Sequence, residues 1–275
     1  MPFTDKEFPM HDEEFKFLAA TAYELSGIVL GEQKKELVYS RIARRIRALN
    51  LSSFAGYCEY LEQNKATEVS NFINSITTNL TSFFRENHHF EFLESKALDE
   101  IRQKHMSDRI IRIWSAGCST GMEPYSIAMT CLNHMKLAGL DFKILATDLD
   151  SEVLAKAKAG IYSMDDVGNI QDKFKKYFEV SKDGQNARMK EQVKDIIQFN
   201  RLNLLGDWPM RHKFDVIFCR NVVIYFNKET QKELFSRYAE MLHTGGYLII
   251  GHSESLHGVN ERFKPMGRTI YQKVV

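Results

Sequence analysis

The chain has 275 residues, enough for one large domain or two smaller ones. Its 44% hydrophobic and 27% charged residues exclude a disordered or fibrous chain and fit an ordinary soluble globular protein. A net charge of +1 leaves no global field for nucleic acid or a membrane, and no apolar run approaches the roughly 20 residues that span a bilayer. The polar, acidic start lacks an apolar signal core, so a cytoplasmic protein without membrane insertion is expected. Cys58, Cys118, Cys131 and Cys219 are scattered, with no C-x-x-C pair, which argues against a disulfide framework or a zinc site.

Residues 12 to 104 predict an all-helical region. Asp12 to Ser26 carries Phe15, Leu18, Ala19, Ala22 and Leu25 at helical spacing, and Gly27 can close that helix. Glu32 to Asn50 carries the stripe Val38, Ile42, Ile46 and Leu49. Largely off the stripe lie Arg41, Arg44, Arg45 and Arg47, which with Lys34 and Lys35 face only Glu36. A charge run is usually a solvated face. This one is lopsided enough to leave a nucleic acid or an acidic protein surface as the alternative, although only Tyr39 is at hand for base stacking. Ser52 or Ser53 can cap a third helix through Leu61. A fourth runs from about Thr67 to Thr78, and a fifth, Glu86 to His105, reads as a bridge.

From Arg109 the rhythm changes to alternating strands and helices. Strands are predicted at 109–116, 142–148, 214–220 and 246–252, with a last one near 269–274. Helices are predicted at 122–138, 151–159 and 228–243. That alternation implies a parallel sheet with crossovers, and the end of the chain can add an antiparallel edge hairpin. Residues 175 to 200 interrupt it with a small β excursion: Tyr177 to Val180, a turn at 182–186, then Val193 to Phe199.

The first strand ends in Ser-Ala-Gly-Cys-Ser-Thr-Gly-Met-Glu-Pro-Tyr, residues 115–125, and the second ends on Asp148. Glycines let a backbone approach a ligand closely, and an acid at a strand end can hold ribose hydroxyls. Gly117 and Gly121 do not make the G-x-G-x-x-G triplet, so a pyrophosphate approach is not specified. A nucleoside ligand without phosphates, such as S-adenosylmethionine, needs less of that geometry. Glu123 and Pro124 suit the first turn of a helix on structural grounds alone. Its functional reading is a contact to the amino group of the methionine moiety. Asn79 to Arg85 (Asn-Leu-Thr-Ser-Phe-Phe-Arg) reads either as a loop stitching two domains or as a lid with Arg85 pointing in. The strand Asp215 to Cys219 runs into Arg220-Asn221, with Tyr225 a turn further on, where open α/β sheets line their sites. The histidines show no ligand spacing; adjacent His88 and His89 would point apart on a helix, and no metal is assigned.

Taken together, Asn79 to Glu86, Ser115 to Ser126, Ala146 to Leu154 with Gly160-Ile161-Tyr162, and Phe218 to Phe226 resemble the CheR-type chemotaxis methyltransferases. Asn203 to Leu205 and Gly251 to Leu256 (GHSESL) add to the likeness, which runs in order along nearly the whole chain. The resemblance implies an α/β, Rossmann-like methyltransferase domain at 106–275 with a small antiparallel β-subdomain near 175–200. It implies an all-α domain at 1–85 before it and a connecting helix at 86–105. It also implies S-adenosylmethionine as methyl donor, S-adenosylhomocysteine as product, and glutamate carboxylates of chemoreceptor signalling domains as acceptors. Carried over, the cofactor contacts are Asn79, Thr81, Arg85, Gly117, Glu123, Asp148, Asn203, Leu204, Arg220 and Asn221. Arg85 and Tyr225 would stand beside the transferable methyl, and Arg41, Arg44, Arg45 and Arg47 would face the acidic receptor. In some members the β-subdomain also grips a tethering peptide at the receptor C-terminus. A monomer that binds no nucleic acid is expected. A methyltransferase of nucleic acids or small molecules, and a non-catalytic cofactor-binding module, are the rival readings.

Overall fold

A computed structural model describes residues 6–104, 110–134, 140–256 and 260–275. It sorts the chain into two units, one running to Thr78 and joined by Tyr225–Asn227, the other made of Asn79–Ile224 and Lys228–Val275. The division falls before Asn79, so the 79–85 segment belongs with the second unit.

The first unit holds four α-helices: α1 (Asp12–Ser26), α2 (Lys35–Ala48), α3 (Phe54–Gln63) and α4 (Lys65–Ile76). Asp12, Glu13 and Glu14 sit in the first turn of α1, where the helix dipole favours acids, and Gly27 closes it at φ 70°. Ser53 caps α3 by accepting from the Gly56 N–H at 3.0 Å. Leu18, Val38, Ile42, Ile46, Phe54 and Phe72 are fully buried, which makes the predicted stripes of α1 and α2 the core of this bundle. The starts and stops of all four helices agree with the expected ones to within about three residues.

The second unit begins with a helical run: α5 (His88–Phe92), a π turn (Leu93–Ala97) and α6 (Leu98–Lys104). There follow β1 (Ile110–Ala116), α7 (Met122–Asn133), β2 (Asp141–Asp148), α8 (Ser151–Ala159), β3 (Ile161–Ser163), α9 (Met164–Val167) and α10 (Asp172–Lys175). Next come β4 (Phe178–Val180), β5 (Asn186–Met189), α11 (Glu191–Lys194), β6 (Ile197–Arg201), β7 (Phe214–Cys219), α12 (Lys228–Met241), β8 (Leu242–Ile250), β9 (Phe263–Gly267) and β10 (Ile270–Lys273). The expected helix over 122–138 is seen to Asn133; residues 105, 109 and 135–138 of the expected elements lie outside the described residues.

Seven strands form one sheet in the order β6-β2-β1-β7-β8-β10-β9. The first five run parallel; β10 pairs antiparallel with β8, as expected for those two stretches, and β9, which was not expected as a strand, closes the edge antiparallel to β10. Trp114, Ile113, Val216, Phe218 and Ile249 are fully buried, as strands covered on both faces must be.

The β excursion is drawn differently from expectation. The small antiparallel sheet is β3-β5-β4, so it recruits residues 161–163 that were read only as part of a motif. Residues 197–201, expected inside it, instead pair in parallel with β2 and form the edge of the large sheet. Alternation alone names a strand but not its partner. Among the described residues no helix is long and apolar enough to cross a membrane, and all four cysteines are free thiols.

Candidate functional site

Chain order explains where a ligand can sit. From β1 the sheet grows through β2 to β6 on one side and through β7 to β8 on the other. Between β1 and β7 the direction of winding reverses, and a crevice opens outside the strand ends at such a switch point. Gly117 follows β1, Arg220 and Asn221 follow β7, Asp148 ends β2, and Asn203 and Leu204 follow β6. Sequence-expected residues are thus brought to one edge by topology.

The β1–α7 turn is built for close approach. Gly117 stands at φ 94°, and a Cβ there would lie 2.3 Å from Val222 Cγ2. Gly121, at φ 91°, packs on the Ala157 backbone of α8, where a Cβ would come within 3.0 Å of Cα. Between them the Ser119 N–H donates to Asp148 Oδ2 at 2.7 Å, while Asp148 Oδ1 accepts from the Asp150 N–H at 3.0 Å. Burial pushes the Asp148 carboxyl upward, and these backbone donors act against that push. Asp150 caps α8 through the N–H groups of Glu152 and Val153. The Asn79 amide donates to Asp150 at 2.8 Å, and Ser119 Oγ donates to the Asn79 carbonyl at 3.1 Å. Asn79 therefore ties the 79–85 segment to the turns after β1 and β2.

Aromatic rings anchor the rest of that segment. Phe83 packs edge-on against Tyr162 and Phe178 of the small sheet, and Phe84 stacks on Phe174 at 4.5 Å. Thr81 and Arg85 are half-buried. Arg85 Nη1 donates to the Leu80 carbonyl at 2.8 Å. Phe84 (φ 53°), Glu86 (φ 57°), Ser119 (φ 49°) and Asn221 (φ 58°) all adopt left-handed backbone that non-glycine residues rarely take. Such strain gathers where the surrounding structure over-determines a site.

At the centre lies Arg220, its side chain 2% exposed. Nη1 donates to Glu123 Oε2 at 2.9 Å, Nη2 lies 3.4 Å from Glu86 Oε2, and Nη2 also donates to the Arg85 carbonyl. Ser115 Oγ donates to the other Glu123 oxygen at 2.8 Å. Burial pushes the Glu123 carboxyl up against the pull of Arg220. Glu123 is the second residue of α7 and Pro124 the third, so the expected order in the first turn holds with Pro two places further in. Burial also pushes the Glu86 carboxyl up, but the His252 hydrogen bond at 2.8 Å and the charge of Arg220 outweigh it and hold Glu86 at about 2.

His89 is fully buried, with Nε2 3.0 Å from both the Arg268 carbonyl and Thr269 Oγ1. Burial first, and Arg220 second, drive its imidazole down to about 3 from 6.5. Between those values the unfolded chain binds a proton that the folded protein does not, so stability is lost as pH falls through this window. His89 is expected to contribute a loss of about 1.4 kcal/mol per pH unit there. Urea unfolding at pH 7, 6 and 5 checks it: His89→Gln should show a flatter profile by that amount, and equal slopes would remove His89 as the cause.

The His88 and His89 rings lie 4.1 Å apart rather than diverging as their adjacency suggested. With Glu86 they bring three ligand-type atoms within 4.8 Å of one another. The Arg220 guanidinium beside Glu86 opposes a cation at that point.

Glu254 is the residue that sequence reasoning missed. Oε1 accepts from the N–H groups of Val222 and Val223, each at 2.9 Å, and Oε2 accepts from Asn221 at 3.1 Å and Gly251 at 2.6 Å. One buried carboxylate thus pins the turn that presents Arg220 and Asn221. Its signal was the GHSESL stretch, quoted as a motif without a role. After β6, Asn203 Oδ1 accepts from the Leu205 N–H at 3.0 Å, and the Leu204 carbonyl takes donors from Trp208 and Arg237.

The basic helix α2 has mostly internal duties. Arg41 donates to the Ile76 and Thr77 carbonyls and to Thr78 Oγ1, closing the end of α4. Arg45 makes two hydrogen bonds, at 2.9 and 2.7 Å, with Glu68, which is 2% exposed and also accepts from Tyr57. Arg47 donates to Glu7 at 3.0 Å. Arg44 is exposed and has no ion pair among the described residues. Tyr225 belongs to this same first unit: its carbonyl accepts from the Val29 N–H at 2.9 Å, and Lys34 Nζ sits 5.0 Å over its ring.

Residues 79–272 match the family model described as CheR methyltransferase, SAM binding domain, and residues 13–77 match CheR methyltransferase, all-alpha domain. The chain belongs to the CheR methyltransferase family. The boundary between the two CheR models coincides with the division at Thr78. A "Probable chemotaxis protein methyltransferase" of Rhizobium etli is 45% identical over 91% of this chain and 96% of its own length. "Chemotaxis protein methyltransferase 2" of Pseudomonas aeruginosa is 40% identical over 98% and 96%, and the Escherichia coli "Chemotaxis protein methyltransferase" is 39% identical over 95% and 91%. The second unit is accordingly an S-adenosylmethionine-binding methyltransferase domain.

Proposed function

We propose that this protein transfers a methyl group from S-adenosylmethionine to glutamate side chains on the cytoplasmic signalling domains of chemoreceptors. The observation that carries the reading is the match to chemotaxis protein methyltransferases along both units. The strand-end crevice fits the donor: it offers a half-buried acid at the end of β2, a side-chain-free backbone at Gly117 and a carboxylate at the α7 N-terminus. Bound there, S-adenosylmethionine supplies an electrophilic sulfonium methyl.

In this reading Asp148 holds ribose hydroxyls and Glu123 meets the ammonium of the methionine moiety, with Asn79, Thr81, Asn203, Leu204 and Asn221 completing the contacts. Asp148→Ala should weaken S-adenosylmethionine binding by about 1.5–3 kcal/mol. Calorimetry giving wild-type affinity would remove Asp148 from the site.

A glutamate acceptor is already ionised at neutral pH, so its attack needs no general base. Charge is lost in the transition state, so tight cation pairing to the acceptor would favour the ground state. Arg85 and Tyr225 are therefore assigned to positioning, a contribution that alignment can make large. Arg85→Ala and Tyr225→Phe should lower turnover and leave the shape of the pH–rate profile unchanged. A new steep limb in either variant would mean that the residue carries a proton.

The experiment for the whole reading uses tritiated donor with membranes bearing the native chemoreceptors, then mild alkali. Label on receptor bands that leaves as volatile methanol supports a carboxyl methyl ester. Alkali-stable label would refute the glutamate assignment. Donor bound without transfer would favour the binding-module reading. Arg44→Glu adds an arm: it should lower receptor methylation while donor affinity stays put, because Arg41, Arg45 and Arg47 already serve the fold. That same internal use weakens the rival reading of α2 as a nucleic-acid surface. The edge strands β3 and β4 suit addition of a receptor tethering peptide, and receptors trimmed of that tail give the comparison.

A further inference from the structure

The strand β6 is the last on its side of the large sheet, and residues 202–213 join it to β7 without a helix or a strand. Connections near that length with no element of their own are usually functional or loose. This one is held. The Leu202 N–H donates to the Asp148 carbonyl at 3.0 Å, and the Gly206 N–H closes a turn on the Asn203 carbonyl at 3.1 Å. Asn203 Oδ1 takes the Leu205 N–H inside that turn. The anchor that comes from far along the chain is Arg237 of α12.

Arg237 Nη1 donates to the Leu204 carbonyl at 2.8 Å, and Nη2 donates to the Gly206 carbonyl at 2.5 Å. Its guanidinium also lies 4.0 Å over the ring of Trp208, whose Nε1 shares the Leu204 carbonyl at 3.1 Å. Trp208 packs edge-on against Trp114, and Trp114 Nε1 donates to Thr147 Oγ1 at 2.9 Å, one residue before Asp148. Among the described residues Arg237 has no carboxylate partner. A fork that could have served an ion pair is committed to two carbonyls of one turn. The planar guanidinium presents donors to both at once, whereas an ammonium on a similar stem is a single point of charge.

Strand order says which part of the donor meets this turn. With the methionine end at Glu123, outside β1 and β7, and the ribose at Asp148 on β2, the next strand over is β6. Neighbouring strands lie about 4.8 Å apart, so the base extends to the 203–206 turn. We propose that Arg237 is a positioning residue for the donor, holding that turn in the shape that receives the adenine. This rests on the assignment of Asp148, Asn203 and Leu204 to the donor. Arg237 acts through the carbonyls of the turn, and so through the population of its binding shape.

The test is calorimetry with S-adenosylhomocysteine on the full chain. Arg237→Lys keeps the charge and most of the stem but loses the fork. If the turn then keeps its binding shape about a tenth of the time, affinity falls about tenfold while the stoichiometry stays at one per chain. Wild-type affinity would overturn the proposal. So would a lowered stoichiometry at unchanged affinity, or a melting temperature lower by much more than about 4 °C, since either would assign Arg237 to the fold as a whole. Combined with Asn203→Ala, Arg237→Lys should lose less than the product of the two single losses, because both act on one turn. Losses that multiply in full would place the action of Arg237 elsewhere and overturn the proposal. Asp148→Ala and Asn203→Ala measured alone separate the two levels. Wild-type binding in both would sink the crevice assignment and this inference with it; weakened binding in both, beside an unaffected Arg237→Lys, would sink this inference alone.

Discussion

Replacing Arg220 with Met should cost about 3–5 kcal/mol of stability at neutral pH, because it strands the buried Glu123 carboxylate without its cation. The pH dependence separates this from loss of packing. Without Arg220, Glu123 loses its main downward pull and its carboxyl rises further. A group whose folded value is raised has its stabilising protonated form below the unfolded value, and that contribution is lost as pH rises. The deficit of Arg220→Met should therefore be largest near pH 8 and shrink toward pH 5. Adding Glu123→Gln should recover much of the loss. Urea unfolding of the four members of this cycle measures the coupling; a deficit that ignores pH and the second substitution would assign Arg220 a steric role only.

Glu254→Gln is expected to be nearly as damaging, at about 2–6 kcal/mol, although it preserves size and shape. Each carboxylate oxygen accepts two backbone N–H groups, so whichever way the amide turns, two donors face an NH₂. Each orphaned buried donor costs about 1–3 kcal/mol. Glu254→Ala should be no worse than Gln, since the space it vacates can admit water. S-adenosylmethionine affinity should fall in the Gln variant under conditions where it stays folded, because the turn carrying Arg220 and Asn221 loses its anchor. A Gln variant within about 1 kcal/mol of wild type would mean that the turn holds itself.

Much of this was legible in the residues. The α/β rhythm, the edge hairpin and the gathering of Asp148, Arg220 and Asn221 at strand ends follow from periodicity and topology rules that act locally. What failed was partner choice. Val193 to Phe199 reads as a strand whichever sheet it joins, and β3 and β9 are too short or too polar to stand out. The α2 arginines looked unbalanced because Glu68 and Glu7, which pair with Arg45 and Arg47, lie far away in sequence. Glu254 sits in a polar stretch that reads as loop, and its role consists of four backbone groups that no side-chain pattern reports.

The membership of Tyr225–Asn227 in the first unit has a consequence for synthesis. The ring beneath Lys34 and the carbonyl that Val29 uses are translated roughly 150 residues after the rest of that helical bundle. At ordinary elongation speeds the nascent bundle waits roughly 7–30 s for its last piece. During that interval the emerging amino-terminal helices are incomplete, and a truncated chain ending at Thr78 would be born permanently in that state.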